Sequence, residues 1–198
     1  MKKSIIFLVS IFAGVVLFSG CSAKTEPIRT YTLSPVLDFG RASHSPYRSK
    51  TVIVAYPTNI NGKASKSLNF SYHALEVGRY HYAKWSANNS QLILNSTIRA
   101  LDKSSIFKST VDYTTLAYAD YLLESEVYEF YHRVREDSSD AVFTIKFNLI
   151  DMSNNWVVRS RKFSYRIPTP TKNAQGYVAA TNKALTLMSR DLVRWLAQ

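Results

Sequence analysis

The chain has 198 residues, a formal net charge of +11, 46% hydrophobic residues and 13% aromatic residues. That hydrophobic content excludes a disordered chain, and the length suits one domain with a core of ordinary size. A single cysteine excludes internal disulfides and cysteine-based zinc sites, thirteen tyrosines favour a sheet over a helical bundle, and the charges scatter rather than forming a tail.

The first 21 residues divide into three parts. Lys2 and Lys3 make a positive start, residues 5–18 are apolar, and Ser19 and Gly20 precede Cys21. This is the organisation of a secretory signal, and the apolar run is shorter than the ~20 residues a spanning helix needs. Val16-Leu17-Phe18-Ser19-Gly20-Cys21 resembles a bacterial lipobox, with Phe18 where the usual leucine stands and Leu17 one step earlier. The resemblance implies cleavage before Cys21 and acylation of its sulfur and amino group. One acyl chain holds only marginally at about 0.8 kcal/mol per buried methylene, whereas the three chains usual in lipoproteins anchor durably. Ser22, where an Asp would favour inner-membrane retention, points by the same resemblance to the outer membrane. An exported address argues against nucleic acid as the partner of the basic surface. It leaves scattered solvated charge, with anionic headgroups as the second reading. The division expected is a signal peptide over 1–20, a lipidated tether over 21–29 and one domain over 30–198.

Tyr31-Thr32-Leu33 reads as a short strand, stopped by Ser34-Pro35. Residues 38–50 form a loop. Residues 51–56 are β-branched, end at Pro57 and read as a buried strand. Residues 59–67 are a second loop. Residues 68–82 read as a hairpin or bent strand pair broken at Gly78. Asn88-Asn89-Ser90 offers N-cap chemistry to a helix over 91–103, where Leu94, Ile98 and Leu101 share a face. Ile106 and Phe107 pack its exit, and residues 110–113 read as an edge strand.

Three strands follow. Tyr121, Leu123 and Val127 alternate while Phe130 falls out of phase, which predicts a β-bulge near Tyr128-Glu129. Ala141, Phe143, Ile145, Phe147 and Leu149 alternate without a break. Residues 156–167 make the third strand, with Phe163, Tyr165 and Ile167 on one face and Pro168 and Pro170 ending it. A second helix over 175–196 carries Val178, Leu185, Leu192, Trp195 and Leu196 as its apolar stripe. The fold expected is α+β: an antiparallel sheet with two amphipathic helices packed on one face.

Chemistry is sparse. His44 lies in a loop, and His73, His81 and His132 fall in the folded part; none shows metal-ligand spacing, and the expectation for the latter three is of strand histidines at a sheet surface. No nucleophile elbow or phosphate loop occurs. Glu124, Glu126 and Glu129 form an acidic group, expected as solvated strand glutamates with Lys146 or Arg161 as partners across the sheet. Tyr72, Tyr80, Tyr82 and Trp85 are expected in the core and at the sheet rim, with a lipid or partner face as the other reading. No cofactor, metal or catalytic residue is assigned.

Taken in order, these landmarks resemble the ABC-type transport auxiliary lipoproteins that accompany MCE-domain lipid transporters. They are Tyr31-Thr32-Leu33, then Val52-Ile53-Val54 with Pro57, then the aromatic approach from Tyr80 to Trp85. Next come Asp120-Tyr121-Leu122-Leu123-Glu124 with Val127 and Phe130, and last Phe163 and Leu192-Val193-Arg194-Trp195-Leu196. The resemblance implies a non-enzymatic periplasmic accessory, tethered to the outer membrane through Cys21. Its partners would be the MCE-domain or permease subunits of a phospholipid transporter. The alternative is a structural or envelope-assembly lipoprotein that binds another outer-membrane component.

Overall fold

A computed structural model describes residues 26–40, 42, 44–59, 64–73 and 76–198. The signal segment and Cys21 lie outside the described residues. In chain order the elements are β1 (Arg29–Tyr31), β2 (Thr51–Val54), β3 (Thr58–Asn59), β4 (Ser67–Ser71), β5 (Gly78–Trp85) and α1 (Asn89–Ser104). Then follow β6 (Ser109–Asp112), β7 (Tyr121–Val134), β8 (Ser139–Asp151), β9 (Trp156–Pro168) and α2 (Ala174–Ala197).

The fold is built along β7. On one side β8 runs antiparallel to it over its whole length, from Tyr121 opposite Asp151 to Val134 opposite Ser139, and β9 continues antiparallel beyond β8. On the other side three short strands follow one another along β7, all parallel to it. β2 lies beside residues 121–123, β3 beside 126–127 and β4 beside 132–133. β6 flanks β2 in parallel, β5 pairs antiparallel with β4, and β1 runs parallel to β5.

The sheet is therefore mixed, not antiparallel throughout as expected. Short turns in the sequence report only the hairpins β4–β5, β7–β8 and β8–β9. Parallel neighbours need a long crossover, and here the whole passage through β5, α1 and β6 returns the chain to β7.

The phase slip in β7 is a bulge. Val127 faces Ile145 and Glu129 faces Thr144, so Tyr128 is the extra residue. Before it Leu123, Ser125 and Val127 are buried; after it His132 and Val134 are buried and Phe130 packs on the core. The inward face thus moves from odd to even positions.

Both helices bury their stripes in one core. Leu92, Ile93, Leu94 and Leu101 of α1 and Leu185, Met188, Leu192 and Leu196 of α2 join Leu123, Phe147 and Leu149 of the sheet. α1 contacts α2, β2 and β6, while α2 contacts β8 and β9. The two helices so cover the same face. Asn173 caps α2, its Oδ1 accepting from the Gly176 amide at 3.0 Å. The expected cap of α1 differs: Asn88 holds the N-cap position without a side-chain bond, and the Asn89 amide oxygen accepts from the Ser65 and Ser90 amides instead.

Smaller corrections concern strand ends. β1 begins at Arg29, two residues before the expected strand, because its partner is β5 and its register puts Tyr31 beside Trp85. β2 is buried on one face only, at Val52 and Val54, because its other face is the open side of the sheet.

Candidate functional site

A groove of about 690 Å³ opens between β1, β4, β5 and the start of α2. A break in the β4–β5 register, between the Ser67–Lys84 and Asn69–Arg79 pairs, divides β5 into an exposed first part and a buried end. Ala83 and Trp85 point into the core, while Arg79, His81 and Tyr82 are exposed. The walls are aromatic: Tyr31, Phe70, Tyr72, Tyr80 and Tyr82. Arg29, Arg79 and His81 line it with Glu26 as the one acidic lining residue, so its charge is cationic. Gly78 permits the tight wall, since a Cβ there would stand 2.3 Å from Cζ of Phe70.

Beneath the groove lies a polar group in apolar surroundings. The Tyr80 hydroxyl is 2.7 Å from Nδ1 of His132, which is fully buried. Tyr177 of α2 stacks on the imidazole with centroids 5.2 Å apart and planes 8° apart. Burial drops the His132 pKa to about 4, slightly opposed by Asp140, so the ring is neutral at pH 7. Burial, with Tyr72 adding, pushes the Tyr80 hydroxyl up to about 12. Tyr80 therefore keeps its proton, and one hydrogen bond joins two neutral groups. Nε2 is buried with no hydrogen-bond partner among the described residues. An aromatic series joins this group to the surface: Tyr72 meets Phe70, Phe70 meets Tyr80, and Tyr177 meets Trp85.

The expected site residues scatter. Cys21 lies outside the described residues. His44, His73 and His81 are exposed as expected, but His132 is not at the sheet surface. The bulge explains why: it turns even positions inward, and His132 shares their side with Phe130. That phase slip was visible in the sequence and was the available signal. Tyr177 was missed because the stripe of α2 was read from Val178, which is only half-buried, whereas Tyr177 is fully buried.

Glu124 is exposed and shares the outer face with Glu126, opposite Leu123 and Val127. Lys146 stands opposite Glu126 in register, but no ion pair joins them among the described residues. Glu126 accepts from the Tyr128 hydroxyl at 2.9 Å, Glu129 accepts from the Thr144 hydroxyl at 2.6 Å, and the Arg161 guanidinium lies over the Phe163 ring. The aromatic group divides: Trp85 belongs to the core, and Tyr72 and Tyr82 are half-exposed in the groove. Among the described residues no cluster could hold a metal ion, and no helix is long and apolar enough to cross a membrane.

Fold and groove together define a small α+β domain with a basic, aromatic surface cleft. Solved structures share the fold. A protein from Xanthomonas campestris superposes with a TM-score of 0.76 at 23% identity, covering 85% of this chain and 95% of its own. An uncharacterised protein gives 0.65 at 14% identity, covering 85% and 98%. A PelC dodecamer subunit from Paraburkholderia phytofirmans gives 0.50 at 17%, covering 79% and 96%. No curated protein matches the sequence. The model of the ABC-type transport auxiliary lipoprotein component family matches residues 64–193, and the chain belongs to that family. The match takes in the landmarks from Tyr80 to Leu192, while those at 31–33 and 52–57 precede it.

Proposed function

We propose that the chain is a non-enzymatic accessory of an MCE-type ABC phospholipid transport system, lipid-anchored at the periplasmic face of the outer membrane through Cys21. Family membership over residues 64–193 is the observation that carries this reading. The groove supports it in chemical terms. Arg29 and Arg79 suit an anionic headgroup, and Tyr31, Tyr72 and Tyr82 offer amphipathic walls of the kind found where lipid meets water. The lipobox supplies the anchor. A transport accessory of this kind moves no bonds and needs no cofactor.

Purification of the full chain from crosslinked native membranes tests the reading. MCE-domain or permease subunits are expected in near-stoichiometric amount. Recovery without either subunit overturns it.

A further inference from the structure

The groove lies at one end of the sheet; at the other end is a second surface. Tyr121, Asp151 and Trp156 stand side by side in β7, β8 and β9, and the Met152 amide donates to the Asp120 carbonyl at 3.0 Å. This register brings together two segments. Residues 113–119 make up the connection from β6 to β7 up to Asp120, and residues 152–158 contain the turn into β9. Neither segment contains a charged residue, in a chain that is 20% charged. Leu116 and Tyr118 are as exposed as in an extended peptide, and Trp156 is 73% exposed. Met152 and Val157 are exposed beside them. Val158 is the extra residue of a bulge between β8 and β9, since Ile150 faces Val157 and Leu149 faces Arg159. An apolar surface of this kind on a soluble domain marks a contact.

What covers it follows from charge and from the anchor. Asp112, Asp120 and Asp151 border the two segments, against Lys50, Lys108 and Arg159. All three carboxylates are held below their usual range: Asp112 by the Thr114 hydroxyl, Asp120 by the Thr51 amide with Lys50, and Asp151 by the Ser153 hydroxyl. Lys50 is tied to Asp120 at 2.9 Å, and Arg159 lies over the Trp195 ring. This end of a +11 chain therefore has no cationic excess to offer an anionic bilayer.

Position says the same, and this step rests on the anchor reading. Glu26 and Pro27 line the groove together with the first residues of α2, at the far end of β7. β7 spans about 40 Å at ~3.3 Å per residue. The five residues from Cys21 to Thr25 reach at most about 17 Å. The apolar end thus lies beyond the reach of the tether, at the opposite end of β7 from the anchored side.

We infer that this end, formed by Leu116, Tyr118, Met152, Trp156 and Val157, docks a protein partner. The partner's contact surface is apolar and bordered by Lys or Arg residues that meet Asp112 and Asp151.

A photoreactive amino acid placed at position 116 or 156 of the full-length, membrane-bound chain tests this in cells. The expected adduct is to a different protein, with a crosslinked peptide that is apolar and flanked by Lys or Arg. The Leu116→Asp/Trp156→Asp double variant should lower recovery of that protein at least tenfold with an unchanged melting temperature, since both side chains are solvent-exposed. Adducts to lipid alone, adducts to a second copy alone, or no adduct at either position overturn the inference. Fractionation of the same cells reads the anchor separately. A chain that is soluble despite an intact Cys21 removes the anchor and the proposed membrane accessory, while the adduct still decides whether this end docks a protein.

Discussion

The Tyr80 hydroxyl and Nδ1 of His132, 2.7 Å apart, join two strands that are not neighbours in the sheet, since β4 lies between β5 and β7. The bond gives the buried imidazole one partner, and the ring of Tyr177 covers its face. The neutral form is thereby favoured in the folded state alone, which makes stability depend on pH. The folded pKa is about 4 against about 6.5 unfolded. Above 6.5 both states are neutral and the group contributes nothing. As pH falls from 6.5 to 4 the unfolded chain takes up a proton that the folded one refuses. The loss reaches about 3 kcal/mol below pH 4. Urea midpoints between pH 7 and 4.5 should fall for the wild-type chain, and His132→Gln should flatten that slope.

Removing the Tyr80 hydroxyl should reach the same imidazole by another route. Tyr80→Phe leaves Nδ1 buried without its hydrogen-bond partner, at a cost of about 1–3 kcal/mol. The change should lower the urea midpoint at pH 7 and leave the far-UV circular dichroism spectrum unaltered.

Arg133 and Asp140 form an ion pair at 2.7 Å across β7 and β8, with side chains 17% and 12% exposed. Arg135 reaches the same carboxylate at 3.7 Å, but its own side chain is half-exposed. Replacing Asp140 by Ala leaves a largely buried guanidinium uncompensated, and a destabilisation of about 3 kcal/mol is expected. Thermal unfolding measures it. Replacing the exposed Lys50 in its pair with Asp120 should leave the unfolding temperature nearly unchanged.

Gly176 sits in the first turn of α2 against the Thr171 backbone. A Cβ there would lie 2.1 Å from the Thr171 carbonyl oxygen, which cannot swing away as a side chain would. Gly176→Ala should therefore destabilise by about 1–3 kcal/mol through overpacking, although alanine is the better helix former. Differential scanning calorimetry reads the shift.

Cys21→Ala should abolish lipidation and release the chain from membranes. Labelling with radioactive palmitate checks it, and label retained by the variant would remove Cys21 as the acceptor.

Several elements were plain in the chain itself. The alternation of β8 at Phe143, Ile145, Phe147 and Leu149 depends only on which face of a strand is wet. The bulge at Tyr128 was visible as a slip in that same alternation, and the edge strand and both helices lie within a few residues of their sequence positions. The family was legible too, because its landmarks are side chains in a fixed order. The groove was not. Tyr72 and Tyr82 have the same residue type as buried Tyr177, and nothing local separates them. Their exposure depends on β1 and α2 approaching from far along the chain. The apolar end was hidden for a similar reason, since Leu116 and Trp156 read as ordinary hydrophobics until Asp120, Asp151 and Trp156 come into register.

Sequence alone determined the strand and helix periods and the family, and raised the expectation of an export signal with Cys21 as acyl acceptor, because each is encoded in the spacing of neighbouring residues. Tertiary structure decided the parallel placement of β2, β3 and β4 along β7, the burial of His132 against Tyr80 and Tyr177, and the contrast between a basic aromatic groove and an uncharged apolar end. Those features come from contacts between residues about thirty to a hundred positions apart in the chain. Their energy depends on which surfaces lose water together, and no local pattern records that.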